Sequence, residues 1–301
     1  MAWSIDQIGD QTGRTVVITG ANGGLGEVAT RALAERGATV IMACRDTAKA
    51  ELIAEGISGD VRTKPLDLAN LASVRDFAAR IGDFDVLVNN AGVMNLPLRR
   101  TADGFEMQFG INHLGHFALT GLLLNQIGDR VVTVASIAHR QTPKLWIDDL
   151  NYENRRYQRN LAYAQSKLAN LMFARELQRR LDEAGSPLRS YAVHPGVSGT
   201  DLFTHTETPV DLVGKGFAAV WGHAPKKAAE SILFGATEPD ADPHKYWGPT
   251  GGIGQSRGPV RSAPSSKLSQ NRELWRQLWE ESERMTGVTY RLPRAVDDAA
   301  R

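Results

Sequence analysis

Tyr163 and Lys167 stand four residues apart in the stretch Tyr163-Ala164-Gln165-Ser166-Lys167, at the head of a long helical pattern. Residues at i and i+4 share one helix face, so the ammonium lies one turn from the phenol. A free phenol ionises near pH ~10 and is a poor base at neutrality; bringing it to about 7 takes roughly 4 kcal/mol of differential stabilisation. A cation ~4 Å away offers about 1 kcal/mol in bulk water but ~4 kcal/mol at the effective dielectric of a partly desolvated cleft. The pair is therefore a proton-transfer catalyst only if the rest of the chain builds a cleft around it. On a solvated helix face the same two residues would do nothing.

The elements that must build that cleft are legible in order. Arg14 to Thr19 is a short β-branched run suited to a strand buried on both faces, followed by Gly20-Ala21-Asn22-Gly23-Gly24-Leu25-Gly26 and a helical pattern from Glu27 to Arg36. Strand, glycine-rich turn and helix are what a dinucleotide site requires: glycines admit the pyrophosphate, and a helix N-terminus presents free N–H groups. The spacing, Gly20-xxx-Gly24-x-Gly26, is not the general G-x-G-x-x-G fingerprint. Strand Ala38 to Cys44 ends at Arg45-Asp46, where an acid would pair with an adenosine ribose hydroxyl and an arginine with a 2′-phosphate. Arg45 comes first, which favours NADP, with NAD still open.

Further strands are read at Val61–Leu66, Phe84–Val88, Arg130–Ala135 and Leu188–Val193, with helices at Thr47–Glu55, Leu71–Ile81, Phe105–Ile127 and around Tyr163 to Leu181. The alternation predicts an α/β fold: a single-domain, Rossmann-like, doubly wound parallel sheet of about seven strands with helices on both faces. Such sheets bind ligands beyond the C-terminal strand ends, where Asp67, Asn89, Gly92, Ser136 and the turn His194-Pro195-Gly196 fall. Asn112 lies inside an apolar helix and needs a bonded partner there. His113 and His116 lack a third ligand, so no metal site is expected. The 301 residues carry a net charge of +1, which gives no reason to expect nucleic acid or an anionic membrane as partner. Cys44 is the one cysteine, excluding an internal disulfide, and no apolar run approaches the ~18 residues of a membrane span. Without a signal-peptide pattern at Met1–Asp6, a cytoplasmic protein is the default.

Thr19-Gly20-xxx-Gly24-x-Gly26, Asn89-Asn90-Ala91-Gly92, Asn112, Ser136, Tyr163-xxx-Lys167 and Pro195-Gly196 occur in the order of the short-chain dehydrogenase/reductase family, and from about residue 13 to 250 the chain resembles it. Asn112-His113-Leu114-Gly115-His116-Phe117, Ala138-His139 and Tyr163 to Asn170 are similar to the retinol dehydrogenase and protochlorophyllide reductase-like branch. The resemblance implies Tyr163 as general acid/base, Lys167 lowering its pKa and holding the nicotinamide ribose, Ser136 donating to the substrate oxygen, and Asn112 placing a relay water. It implies a cofactor held by Gly20, Asn22, Gly24, Leu25, Gly26, Arg45, Asp67, Leu68, Asn89, Ala91, Gly92, Tyr163, Lys167, Pro195, Gly196, Val197 and Thr200. Asn22 and Gly23 stand where many NADP-dependent members carry a basic residue.

The expected function is an NADP(H)-dependent oxidoreductase acting on a moderately apolar alcohol or carbonyl compound. The alternatives are reduction of a C=C bond at the same site, or nucleotide sensing without turnover. Residues 1–260 are read as the dinucleotide-binding and catalytic domain, with 197–223 as a substrate lid, and 261–301 as a C-terminal helix and flexible tail. Gly248 to Gly258 reads as a flexible loop, and Leu274, Trp275, Leu278 and Trp279 form an apolar stripe expected to dock on the chain's own core. The partner is a small molecule; a homo-oligomer is left open.

Overall fold

Apolar, β-branched runs that need cover on both faces form the interior of one sheet in the computed structural model, which describes residues 3–196, 225–252 and 255–293. The strands are β1 (Thr15–Thr19), β2 (Thr39–Cys44), β3 (Val61–Pro65), β4 (Phe84–Asn89), β5 (Ile127–Val134), β6 (Arg189–Val193), β7 (Tyr246–Gly251) and β8 (Arg257–Ser262). They lie in the order β3-β2-β1-β4-β5-β6-β7-β8. Every pairing is parallel except β7 with β8, which is antiparallel. This is the Rossmann-like sheet read from the sequence, with eight strands instead of about seven.

Alternate side chains of one strand serve opposite layers. Val16 and Ile18 of β1 join a core with α1 (Gly24–Ala34), α2 (Thr47–Glu55) and α7 (Pro225–Thr237), through Ala29, Leu33, Ala50, Ile232 and Leu233. Val17, between them, faces α3 (Leu71–Arg80), α5 (His116–Leu123) and α6 (Arg159–Glu183), through Val74, Phe77, Phe117, Phe173 and Leu177. Cys44 is buried in the first of these layers. Asp46 and Asn70 start α2 and α3 by accepting from the backbone N–H groups of Lys49 and Ala72.

Two stretches differ from the sequence reading. The expected helix Phe105–Ile127 is four pieces: α4 (Met107–Phe109), a π turn over Gly110–Gly115, α5, and a 3-10 turn over Leu124–Gln126, after which Ile127 already opens β5. Gly115, at the end of the π turn, packs closely on Leu68: a Cβ there would lie 2.6 Å from that residue's carbonyl oxygen. The stretch Gly248–Gly258 is not simply a loop: its two ends belong to β7 and β8, which extend the sheet past β6. Glycine and proline hide the strand pattern, and long-range pairing overrides weak local propensity.

The apolar stripe lies on α8 (Arg272–Thr286), where Leu278 and Trp279 are buried. Trp279 packs among Phe117, Phe173 and Tyr290, so the helix covers the outer flank of α6. The segment 197–223 lies outside the described residues.

Candidate active site

β1 and β4 are neighbours although they are not consecutive, so the chain departs in opposite directions from their C-terminal ends and leaves a crevice there. Thr19 closes β1 and organises the crevice: its Oγ1 accepts from the backbone N–H groups of Asn90 and Ala91, each at 2.9 Å. The Asn90 side chain donates to the carbonyl of Thr19 at 2.8 Å. This amide therefore staples the two turns together. Gly20 has φ +64 and approaches Ala91 so closely that a Cβ would sit 2.9 Å from that residue's Cα. A Cβ on Gly26 would lie 2.4 Å from the Gly20 carbonyl oxygen and 2.7 Å from Asn90 Nδ2. Gly23, which precedes α1, makes no side-chain cap, so the first N–H groups of that helix stay available to a ligand. The glycine cradle and the uncapped helix start fit a dinucleotide pyrophosphate.

At the adjoining rim Asn22 donates to the Asp46 carbonyl at 3.2 Å. Asp46 spends its carboxylate on the start of α2, whereas Arg45 beside it is exposed. Lys49, which the sequence reading passed over, brings its ammonium to 3.6 Å from where a Gly23 Cβ would be. The cue was present in the sequence, since Lys49 stands one helical turn beyond Arg45. Asp67 folds back to accept from Ala69 N–H at 2.9 Å, and Leu68 is buried against Gly115. Asn89 turns inward and donates to Thr120 Oγ1 at 2.9 Å.

β5 ends at Val134, whose carbonyl accepts from Lys167 Nζ at 3.0 Å and from Asn170 Nδ2 at 3.1 Å. This pins α6 to the sheet at the level of Ser136, which is hydrogen-bonded to the Tyr163 hydroxyl. Tyr163 is 8% exposed and Lys167 4%. Burial pushes the phenol up to about 12, with the Ser136 hydrogen bond opposing, and lowers the Lys167 ammonium to about 8. Lys167 Nζ lies 5.9 Å from the Tyr163 ring centroid. Lys167 is expected from the sequence to lower the phenol; in the chain alone desolvation dominates, and the opposing influence comes from Ser136.

Asn112 sits in the π turn and is saturated by protein. Its Oδ1 accepts from Val93 N–H at 2.8 Å, and its Nδ2 donates to the Val93 carbonyl and to Ser166 Oγ, both at 2.9 Å. Ser166 thus joins the turn to the helix bearing Tyr163, a role that only the fold reveals. A Cβ on Gly92 would be 3.2 Å from Asn112 Oδ1 and 3.5 Å from Lys167 Nζ, so the missing side chain keeps an opening between them. His116 takes a proton-bearing Nδ1 to the Asn112 carbonyl at 3.0 Å and accepts from Thr19 Oγ1 at 2.8 Å, and His113 meets Ser282 of α8 at 2.8 Å. Among the described residues no group of three His, Cys, Asp or Glu could hold a metal ion. Pro195 and Gly196 lie at the same rim after β6, while Val197 and Thr200 lie outside the described residues.

The short chain dehydrogenase pattern matches residues 14–148. Human retinol dehydrogenase 13 is 40% identical over 299 residues, spanning 92% of this chain and 85% of the relative. The chain belongs to the short-chain dehydrogenase/reductase family. Mouse retinol dehydrogenase 14 is 37% identical over 305 residues, with 92% of this chain and 86% of the relative covered. The solved structure of an uncharacterised protein from Mycobacterium paratuberculosis superposes with a TM-score of 0.85 at 44% identity, covering 97% of this chain and 100% of that one. As a dehydrogenase of this family the chain is an NAD(P)-dependent oxidoreductase acting on alcohol or carbonyl groups. No described helix is long and apolar enough to cross a membrane.

Proposed function

We propose that the chain is an NADP(H)-dependent oxidoreductase for a moderately apolar alcohol or carbonyl substrate, with Tyr163 as its general acid/base. The observation that carries the reading is the meeting of Ser136, Tyr163 and Lys167 at the end of β5, beside the glycine cradle. When bound, the nicotinamide supplies or accepts the hydride.

The protein's part is proton management. Ser136 donates to the substrate oxygen as charge develops there, and Tyr163 exchanges the proton with it. A phenol at about 12 holds its proton, which suits donation to a carbonyl oxygen. For alcohol oxidation it must be lowered, and the charge of an oxidised nicotinamide together with Lys167 would do that. Asn112 holds the Val93 backbone, and the missing side chain of Gly92 leaves space between it and Lys167.

NADP is favoured over NAD because Arg45 is exposed and Lys49 stands beside the glycine turn, while Asp46 is occupied in capping α2. The retinol dehydrogenase names of the relatives favour an apolar alcohol or aldehyde. Residues 1–260 would form the catalytic domain, in the cytoplasm. Tyr163→Phe tests the mechanism: turnover of an aldehyde panel, followed by nicotinamide absorbance, should vanish while NADPH affinity stays within about twofold. Retained turnover would rule out Tyr163 as the acid/base.

A further inference from the structure

We infer that His139 is a positioning residue for Ser136, holding the serine's backbone with a neutral imidazole that is itself held by the C-terminal segment around Ser266. His139 lies in the short turn that follows β5 and is fully buried. Its Nδ1 is 2.6 Å from the carbonyl oxygen of Ser136, and its own backbone N–H donates to that same oxygen at 3.1 Å. A carbonyl only accepts, so Nδ1 carries the proton. Nε2 is then bare in a neutral ring, and it accepts from the backbone N–H of Ser266 at 3.1 Å. Both ring atoms are thus committed, and the tautomer is fixed by two backbone groups more than a hundred residues apart in sequence.

The groups facing the ring agree with a neutral form. Arg140 comes from its own turn, Arg175 from α6, His194 from the end of β6, and the Tyr246 ring of β7 stands edge-on at 5.6 Å. Burial, with the Ser136 carbonyl opposing and the two arginines adding to it, holds the imidazole at about 4. The segment that grips Nε2 is itself tied down: Arg140 donates to the Pro264 carbonyl at 2.5 Å, and Arg175 to Ser265 Oγ at 2.9 Å and to the Ser269 carbonyl at 2.7 Å. Ser136 must offer its hydroxyl at one point relative to Tyr163, and a sub-ångström drift of its backbone weakens that geometry. His139 removes that freedom without touching substrate.

The inference rests on Ser136 acting at the substrate oxygen, and the test separates the two. His139→Asn and His139→Leu lose the ring equally and are nearly isosteric, but only the asparagine amide can still donate to the Ser136 carbonyl. His139→Leu should lower kcat by about tenfold with NADPH affinity within about twofold, and His139→Asn should recover most of the loss. Equal kcat in the two variants, while Tyr163→Phe is inactive, overturns the role of His139 alone; an active Tyr163→Phe overturns the proposed mechanism instead. Nitrogen-15 spectra of the intact protein give a check that needs no variant to fold: His139 should show a protonated Nδ1 and a bare Nε2 throughout neutral pH. The opposite tautomer overturns the inference.

Discussion

A phenol raised to about 12 and an amine lowered to about 8 share one helix face, each shifted against its charged form by burial. At the cofactor end the decisive side chains are exposed and the argument is about charge, not burial. Arg45 offers a planar fork to a phosphate, and Lys49 adds a point charge from the next helical turn. Arg45→Ala should weaken NADPH binding by about tenfold or more, the worth of a charge-assisted hydrogen bond, and leave NADH binding nearly unchanged. Fluorescence titration of both nucleotides checks this, and equal losses for the two would assign Arg45 to something other than the 2′-phosphate. The types and spacing of Tyr163, Lys167, Ser136 and Asn112 were legible in the chain, because proton chemistry restricts the choice of residue. Ser166 and His139 carry only a resemblance in the chain and Lys49 not even that, since their part depends on which turns the fold brings together.

At the level of elements, the β1 turn and the β4 turn form one unit through Thr19, Asn90 and Gly26. Gly26→Ala puts a methyl 2.4 Å from the Gly20 carbonyl oxygen, so backbone must move. The variant should lose about 1–3 kcal/mol of stability, as overpacked sites do, and at least about tenfold in NADPH affinity. A thermal melt and a nucleotide titration measure the two; unchanged affinity would mean that the cradle lies elsewhere. The inner strands β1, β2, β4 and β5 were readable because burial on both faces demands continuous apolar, branched runs; the edge strand β3, Val61-Arg62-Thr63-Lys64-Pro65, has no fully buried residue and carries no such run. β7 and β8 were not readable: Tyr246-Trp247-Gly248-Pro249-Thr250-Gly251 has no alternation, and its strand form comes from pairing with Ala192 and Val193. The start of β5 at Ile127 was likewise hidden behind Gly128, Asp129 and Arg130.

For the whole molecule, acid is the sensitive direction. Of seven histidines, His113, His116, His139 and His194 are buried at 1% exposure or less. Burial holds His113 and His194 at about 3 and His116 and His139 at about 4, against 6.5 for the free side chain. Between about 6.5 and 4 the unfolded chain therefore binds protons that the folded chain refuses. Stability is fully present above 6.5 and falls with falling pH, each histidine contributing about 1.4 kcal/mol per unit. The four contributions share one sign without simply adding, since His116 is among the causes for His113 and His139 among those for His194; even part of them is a large fraction of the ~5–15 kcal/mol of a typical domain. The melting temperature, followed by circular dichroism from pH 8 downward, should be flat to about 6.5 and then drop steeply. A flat profile to pH 5 would mean that these rings ionise without leaving their partners.

The π turn at Gly110–Gly115 inserts one residue beyond what an α turn holds, a slip of about 100°. The hydrophobic wheel is therefore out of phase on its two sides. Before and within it, Phe109 and Leu114 pack with Leu145, Leu168 and Leu278; after it, Phe117 and Leu123 enter the layer beneath Val17 and Leu87. A single wheel drawn through all of Phe105–Ile127 blurs these faces into an apparently all-round apolar helix. Read piecewise, the same residues carry a break in periodicity, and the position of that break marks Asn112.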